Sequence, residues 1–197
     1  MSSKTRGVAV STVGYMSLAI SGWMLSMTAA GWYTRAFSTA FMVPLAVILA
    51  VIAVLAFVTD RGLDAVVFFG GAAVLGSMAT YMGSVTYAHA AEPVSYMAWF
   101  ACLWALYFCC TWAGSLRSGA TRSSFLLGLW ATFIVLAIGG WTGVGGWLIA
   151  GGYLGLITSV LAFVTSGAEI IHYGAVANPN LEATGTGAGT AHPIAAD

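Results

Sequence analysis

The chain has 197 residues, a formal net charge of zero, and a composition that is 60% hydrophobic and only 6% charged. Because soluble domains carry about 25% charged residues, this composition and a mean hydropathy of +0.92 exclude an ordinary soluble protein. The lack of net positive charge argues against a nucleic-acid partner. The sequence therefore predicts a multi-pass protein of the cell (inner or plasma) membrane, in contact with the lipid bilayer.

Six apolar stretches reach or approach the length of about 20 residues that a helix needs to cross a bilayer. They lie at about 8–30, 36–58, 65–85, 96–116, 124–141 and 147–173. Pro44 falls inside the second stretch, where a membrane helix tolerates it with a kink. We therefore expect an all-α integral membrane protein with one six-helix transmembrane domain over residues 8–173.

The basic residues indicate the orientation of the helices. If the spans alternate in direction, Lys4, Arg6, Arg61, Arg117 and Arg122 lie on one side and Arg35 on the other. The positive-inside rule assigns the first side to the cytoplasm, so we expect cytoplasmic termini: residues 1–7, and a disordered tail of small polar residues over 174–197. Lys4 and Arg6 before an apolar run could also mark a secretory signal, although "MTAAGWY" is a poor cleavage site.

Small and hydroxyl-bearing residues recur every three or four positions, and so share one face, in three of the expected helices. These faces comprise Ser11, Gly14, Ser17, Ser21 and Thr28; Gly70, Ala73, Ser77, Tyr81 and Ser84; and Gly151, Gly155, Thr158, Ala162, Thr165, Ser166 and Glu169. Such faces let helix backbones pack closely or line a narrow solute path, and both interpretations stay open. The pore-lining candidates are Ser11, Gly14, Ser17, Ser21, Thr158 and Thr165.

Glu169 and His172 lie near the end of the sixth stretch, three residues apart, so their side chains can share a helix face. An ionisable residue inside a membrane is costly and is by default a functional candidate. Near a helix end, however, a carboxylate can also reach headgroup water. The pair is therefore a candidate for proton handling, with a structural or interfacial role as the alternative.

The sequence indicates no metal, cofactor or enzyme activity. Cys102, Cys109 and Cys110 share one apolar segment and form neither a CxxC pair nor a Cys/His cluster, so we expect no metal site and no disulfide. A nucleophile paired with a base and a phosphate-binding loop are also missing, and we therefore do not expect an enzyme.

Three stretches resemble the acetate uptake transporter family, which includes the YaaH-type acetate and succinate permeases and their fungal relatives. They are "GGYLGLITSVLAFVTSGAEII" at 151–171, similar to the family's sixth helix, "LAIGGW" at 136–141, similar to the end of its fifth, and "WFACLWALYFCCTWAGSLRSGATR" at 99–122, similar to its fourth helix and basic turn. The first helix departs from the family. Of the Asn-Pro-x-Pro-Leu-Gly-Leu signature, "AVSTVGY" keeps only Gly14.

The resemblance implies homo-oligomers, in the form of hexameric rings, and a constriction in each protomer. The constriction residues of the family fall here on Leu18, Leu75 and Leu129. Three leucines would make an apolar gate that favours neutral or protonated solutes. Leu75 lies off the polar face expected for the third helix, so one of these two assignments is wrong or that face packs against a neighbour.

No Lys or Arg lies within an expected span, and Glu169 is the only carboxylate associated with one. A carboxylate would have to be met by helix N-termini and hydroxyls, or lose its charge by protonation. We therefore expect a transporter or channel that moves small, acetate-like monocarboxylates with a proton or as the protonated acid. The alternatives are a passive channel for small neutral solutes such as urea or amides, and a non-transporting member of the family.

Overall fold

The computed structural model describes residues 3–87 and 96–177, without the side chains of 3–6, 35–38, 86–87 and 172–177. Six helices follow one another: α1 (Ser3–Ala29), α2 (Arg35–Val58), α3 (Gly62–Tyr87), α4 (Tyr96–Ser115), α5 (Ala120–Thr142) and α6 (Gly145–Ala177). Each contains an apolar segment of 20 to 27 residues, long enough to cross a membrane. The expected all-α fold with six spanning helices is confirmed. Most of the expected tail, residues 178–197, lies outside the described residues.

The early starts of α3 and α5, relative to the sequence prediction, change which charged residues are inside the spans. The apolar segment of α3 starts at Gly62 and includes Asp64, whereas that of α5 starts at Ala120 and includes Arg122. The expectation that no basic residue lies within a span, and that Glu169 is the only carboxylate there, is therefore wrong. The error arose because both residues follow glycine-containing turns, where apolar content alone does not locate the first helical turn.

The helices form a closed ring in chain order. α1 packs mainly on α6, α2 on α3, and α5 on both α4 and α6, and further contacts of α1 with α2 and of α3 with α4 complete the circle. Neighbouring helices run in opposite directions, since the end of one packs beside the start of the next, as Tyr81 of α3 does with Tyr96 of α4. The outer faces are apolar and exposed, as on Val54 and Phe57 of α2, which suits a helix surrounded by lipid.

Glycines allow α6 to approach α1 closely. A Cβ atom on Gly152 would lie 2.5 Å from the backbone nitrogen of Ala30, and one on Gly155 would overlap the hydroxyl of Ser26. Gly155 also borders the cavity described below. Gly155 therefore packs closely on α1 and also borders a cavity, whereas the lining of a solute path stays a prediction.

Candidate functional site

A cavity of about 70 Å³ lies inside the ring, between α1, α3, α4, α5 and α6. Leu18, Leu75 and Leu129 all line it, so the structure brings together the three positions that the family resemblance implied. Gly70, on the polar face expected for α3, instead lies under the ring of Tyr107 in α4. Tyr81 of the same expected face lines the wider cavity described below, so the residues of that face do not share one environment, and Leu75 rather than Gly70 borders the central cavity.

Among the residues that the structure describes, five hydroxyl groups and no charged side chain line this central cavity. They belong to Ser21, Ser26, Thr132, Thr158 and Ser159. Four of them donate to carbonyl oxygens of their own helices, at 2.8–3.1 Å. A hydroxyl that donates its one hydrogen bond to its own helix has only oxygen lone pairs left for a ligand. The cavity therefore offers hydrogen-bond acceptors on an otherwise apolar wall.

A wider cavity of about 270 Å³ adjoins the central one at the end of the ring where α5 leads into α6. The two share the lining residues Leu25, Ala29, Phe133 and Leu136. Most of the remaining lining is methionine and aromatic side chains, namely Met78, Met82, Met97, Tyr81 and Phe100, with Thr28, Ala101 and Leu148 completing it. The two cavities therefore lie side by side, from this end of the ring to its middle.

Three buried aromatic rings pack together between the central cavity and the start of α3. Tyr15 and Phe68 are fully buried and Phe125 nearly so; the ring of Tyr15 meets Phe68 edge-on with centroids 5.2 Å apart, and Phe125 with centroids 5.8 Å apart. Phe125 also lines the central cavity. Gly14 lies against the face of Phe68, where any larger residue would overlap the ring. We name Tyr15, Phe68 and Phe125 the aromatic plug.

Beyond the plug, the described side chains include a cluster of four charged groups, Arg61, Asp64, Arg122 and Glu169, which we name the ion cluster. Arg122 is 2.6 Å from Glu169 and 3.5 Å from Asp64, and Arg61 is 3.3 Å from each carboxylate. The side chains are between 3% and 25% exposed, with Asp64 the least exposed. Two cations and two anions balance, which is the arrangement that a buried charged group requires.

The plug and the ion cluster are joined through α1. The hydroxyl of Tyr15 donates to Asp64 Oδ1 at 2.9 Å, and the hydroxyl of Ser11 donates to Asp64 Oδ2 and accepts from Arg61. The guanidinium of Arg122 lies over the Tyr15 ring, 5.5 Å from its centroid, at a distance where cation and ring attract. One network therefore ties α1, α3, α5 and α6 together at this end of the ring.

Local structure explains how Arg61 reaches the cluster. α2 ends in a Schellman turn: Arg61 N donates to the Ala56 carbonyl, and Asp60 adopts the left-handed φ of 59° that this motif requires. The Arg61 carbonyl then accepts from Ala65 N in the first turn of α3. Arg61 thus stands at the junction of two helices, and Asp64 follows in the first turn of α3, where the helix dipole stabilises an anion.

The other pore-lining candidates separate into distinct environments. Ser21 and Thr158 line the central cavity, whereas Ser11 belongs to the ion cluster and Gly14 underlies the plug. Ser17 is buried but is not among the cavity residues, and the hydroxyl of Thr165 donates within α6 to Leu161. The side chain of His172 lies outside the described residues, so only Glu169 of the expected pair can be placed.

Sequence reasoning missed Asp64, Arg61, Arg122 and Tyr15 as site residues. One signal was available: Arg61 and Asp64 are opposite charges three residues apart in "TDRGLD", at the start of an apolar stretch. That spacing allows an ion pair on one helix face. Nothing comparable links Arg122 to Glu169, which are 47 positions apart.

The structure is similar to that of the bacterial acetate channel SatP, with a TM-score of 0.77 and 15% sequence identity, over 82% of this chain and 91% of that chain. No protein-family model and no curated protein matches the sequence. At this level of identity the likeness establishes the fold. The chain is a multi-pass membrane protein with the six-helix fold of an acetate channel, the fold that its resemblance to the acetate uptake transporter family implied.

Proposed function

We propose that the protein is a transporter or channel for small monocarboxylates of the size of acetate, and that they cross the central cavity as the protonated acid. The observation that carries this proposal is the uncharged, hydroxyl-bearing cavity inside the ring of a fold that also serves an acetate channel. The protein would act in the cell membrane.

The size of the central cavity supports a substrate with few atoms. One water-sized sphere needs about 10–15 Å³ of such a cavity, so about 70 Å³ accommodates on the order of five. Acetic acid fits within that space, and propionic acid fills it. A dicarboxylic acid such as succinate exceeds it.

The hydrogen-bonding character of the cavity supports the protonated form. Four of its five hydroxyls donate their hydrogen bonds to carbonyl oxygens of their own helices, so they can only accept hydrogen bonds from a ligand. A carboxylate only accepts hydrogen bonds, so it finds few donors here, and an uncompensated charge in an apolar cavity is very costly. A protonated acid donates one hydrogen bond and carries no charge.

Glu169 remains our candidate for proton exchange at the ion-cluster end, with His172 as a neighbour in sequence. Its carboxylate bonds to both arginines. Taking up a proton would remove the charge of Glu169 and weaken both ion pairs. Proton exchange at Glu169 would therefore loosen the network that ties α1, α3, α5 and α6 together.

We further propose that both termini are cytoplasmic, which puts the ion cluster at the inner mouth of the path, and that the protein forms a homo-oligomer, a hexamer by family resemblance. The five basic residues on one side support the orientation. The exposed apolar outer faces are compatible with contact either to lipid or to further copies.

Uptake of labelled acetate, propionate, lactate and succinate into proteoliposomes, with and without an imposed pH gradient, tests this function. We expect acetate and propionate to accumulate when the outside is acidic, and succinate to be excluded. Uptake of fully ionised succinate without protons would contradict the proposal.

A passive channel for small neutral solutes is the second candidate, because a wall of acceptors also suits the amide protons of urea. Comparing acetate with urea and glycerol fluxes separates the two candidates. Rapid urea flux that ignores the proton gradient, with slow acetate flux, would favour the channel. A protein that moves none of these solutes would be a non-transporting relative.

A further inference from the structure

Glu169 places an acetate-like group between two arginines. Its side chain ends in CH₂–COO⁻, the chemical group of acetate itself. One carboxylate oxygen lies 2.6 Å from Arg122 Nη2 and the other 3.3 Å from Arg61 Nη1. Guanidinium groups that hold both oxygens of a carboxylate form a strong and geometrically specific anion site. In this structure the protein fills that site with its own carboxylate.

The two carboxylates of the ion cluster are held differently. Asp64 is 3% exposed and accepts hydrogen bonds from the hydroxyls of both Ser11 and Tyr15. Glu169 is 14% exposed and, among the described residues, is held by the two arginines alone. It also lies two residues before the end of its apolar segment at Ile171, within reach of water. Asp64 is therefore the fixed counter-ion and Glu169 the exchangeable one.

Arg122 has an unused hydrogen-bond donor. Its Nε is buried and has no hydrogen-bond partner among the residues that the structure describes. Buried N–H groups are nearly always paired, because an unpaired one loses its interaction with water without replacement. A carboxylate that binds the guanidinium through Nε and a terminal nitrogen together would satisfy this donor.

Charge balance selects the ligand. Among the side chains that the structure describes here, with Glu169 in place, two arginines and two carboxylates sum to zero. When Glu169 turns to solvent, the remaining cluster carries one positive charge, and a monoanion restores neutrality. A dianion would leave an excess negative charge in a poorly solvated site, which is unfavourable.

We propose that Arg122 and Arg61 form a binding site for monocarboxylate anions at the ion-cluster end of the path, and that Glu169 occupies this site until the ligand displaces it. The choice of ligand rests on the proposed function. The site receives the acid after it has passed the plug and given its proton to water at this end of the ring. Arg122 is then the residue that recognises the anion.

Acetate binding to the purified full chain in lipid nanodiscs, followed by calorimetry, tests the site. In Glu169→Gln the internal competitor loses its charge, so we expect acetate to bind about tenfold more tightly or better, the effect of removing one charge-assisted hydrogen bond. In Arg122→Gln we expect binding to be lost at concentrations that saturate the wild type. The Glu169→Gln change should raise the binding affinity for succinate less than that for acetate.

Two matched variants control for charge. Arg117→Gln removes an exposed arginine at the same end of the ring, and Asp60→Asn removes a carboxylate outside the ion cluster while keeping a residue type that tolerates its positive φ. Both should bind acetate as the wild type does. If Arg122→Gln does not fold, Glu169→Gln alone decides the question.

An affinity for acetate that Glu169→Gln leaves unchanged would overturn the site, as would wild-type affinity in a folded Arg122→Gln protein. Uptake by wild-type proteoliposomes separates this result from the proposed function. If the wild type takes up acetate but Glu169→Gln does not bind acetate more tightly, the proposed site is wrong and the proposed function stands. If Glu169→Gln binds acetate more tightly but the wild type shows no uptake, the proposed site stands and the proposed function is wrong.

Discussion

Arg122 Nη2 lies 2.6 Å from Glu169 Oε1 and joins the first turn of α5 to the C-terminal third of α6. The same guanidinium lies 3.5 Å from Asp64 of α3 and over the ring of Tyr15 in α1. Arg122 is thus the residue through which four helices are held at one end of the ring. Above it the aromatic plug separates these charges from the uncharged cavity.

Replacing Arg122 with Gln should destabilise the fold strongly. The change leaves Asp64 and Glu169 with Arg61 as their only charged partner in the described cluster, and breaking a buried ion pair by removing one partner costs about 3–5 kcal/mol. Thermal unfolding in detergent measures the effect. The exposed Arg117→Gln should change stability by less than about 0.5 kcal/mol, and equal melting temperatures for the two variants would contradict a structural role for the cluster.

Gly152→Ala should loosen the packing of α6 on α1. The added methyl group would meet the backbone of Ala30 and Ser26, which cannot move aside as a flexible side chain could, and overpacking costs about 1–3 kcal/mol. Gly146→Ala, in the same helix, meets only the end of the Val144 side chain at 4.0 Å and is the matched control. Melting temperatures of the two purified variants provide the comparison. A Gly152→Ala protein as stable as Gly146→Ala would show that α1 and α6 can move apart enough to accept the methyl group.

Thr158→Val should slow acetate uptake while preserving the fold. Valine keeps the shape of threonine but removes a hydroxyl that lines the central cavity. Losing one neutral hydrogen bond costs about 0.5–1.5 kcal/mol, which corresponds to about a two- to tenfold lower rate. Thr80→Val removes an exposed hydroxyl that makes the same bond to its own helix and should transport normally. Initial uptake rates decide, and equal rates for both variants would exclude the hydroxyl from the path.

Leu129→Ala should widen the range of acids that pass. Its side chain borders the central cavity beside Leu18 and Leu75, so truncation enlarges the space. One methylene in an apolar site is worth about 1–3 kcal/mol, and we expect uptake of propionate relative to acetate to rise about tenfold. Leu127→Ala, on the exposed face of α5, should leave that ratio unchanged. An unaltered ratio in Leu129→Ala would place the size filter elsewhere, with the plug as the next candidate.

The orientation of the ring can be tested with single cysteines in a background without Cys102, Cys109 and Cys110. Ser118→Cys lies at the ion-cluster end of the ring and Val144→Cys at the opposite end, both at exposed positions. In intact cells we expect a membrane-impermeant maleimide to label Val144→Cys, and Ser118→Cys only after permeabilisation. The reverse pattern would put the ion cluster at the outer mouth and overturn the orientation.

The sequence by itself determined the number and approximate limits of the six helices, because the free energy of placing a segment in a bilayer depends on local apolar content and length. It also identified Ser21, Thr158 and Glu169 as polar exceptions in apolar helices. The resemblance to a known family added Leu18, Leu75 and Leu129, which the ring brings to one cavity.

Only the tertiary structure decided which of these residues meet. Arg61 and Glu169 are 108 positions apart, and their contact depends on the ring closing between α1 and α6, which no local pattern encodes. The early start of α5 was equally decisive, because it carries Arg122 into the bundle. Hydrophobicity sets how deep a residue lies in the membrane, whereas helix packing sets its neighbours. The ion cluster exists only because packing brings together charged residues from helices that are far apart in the sequence.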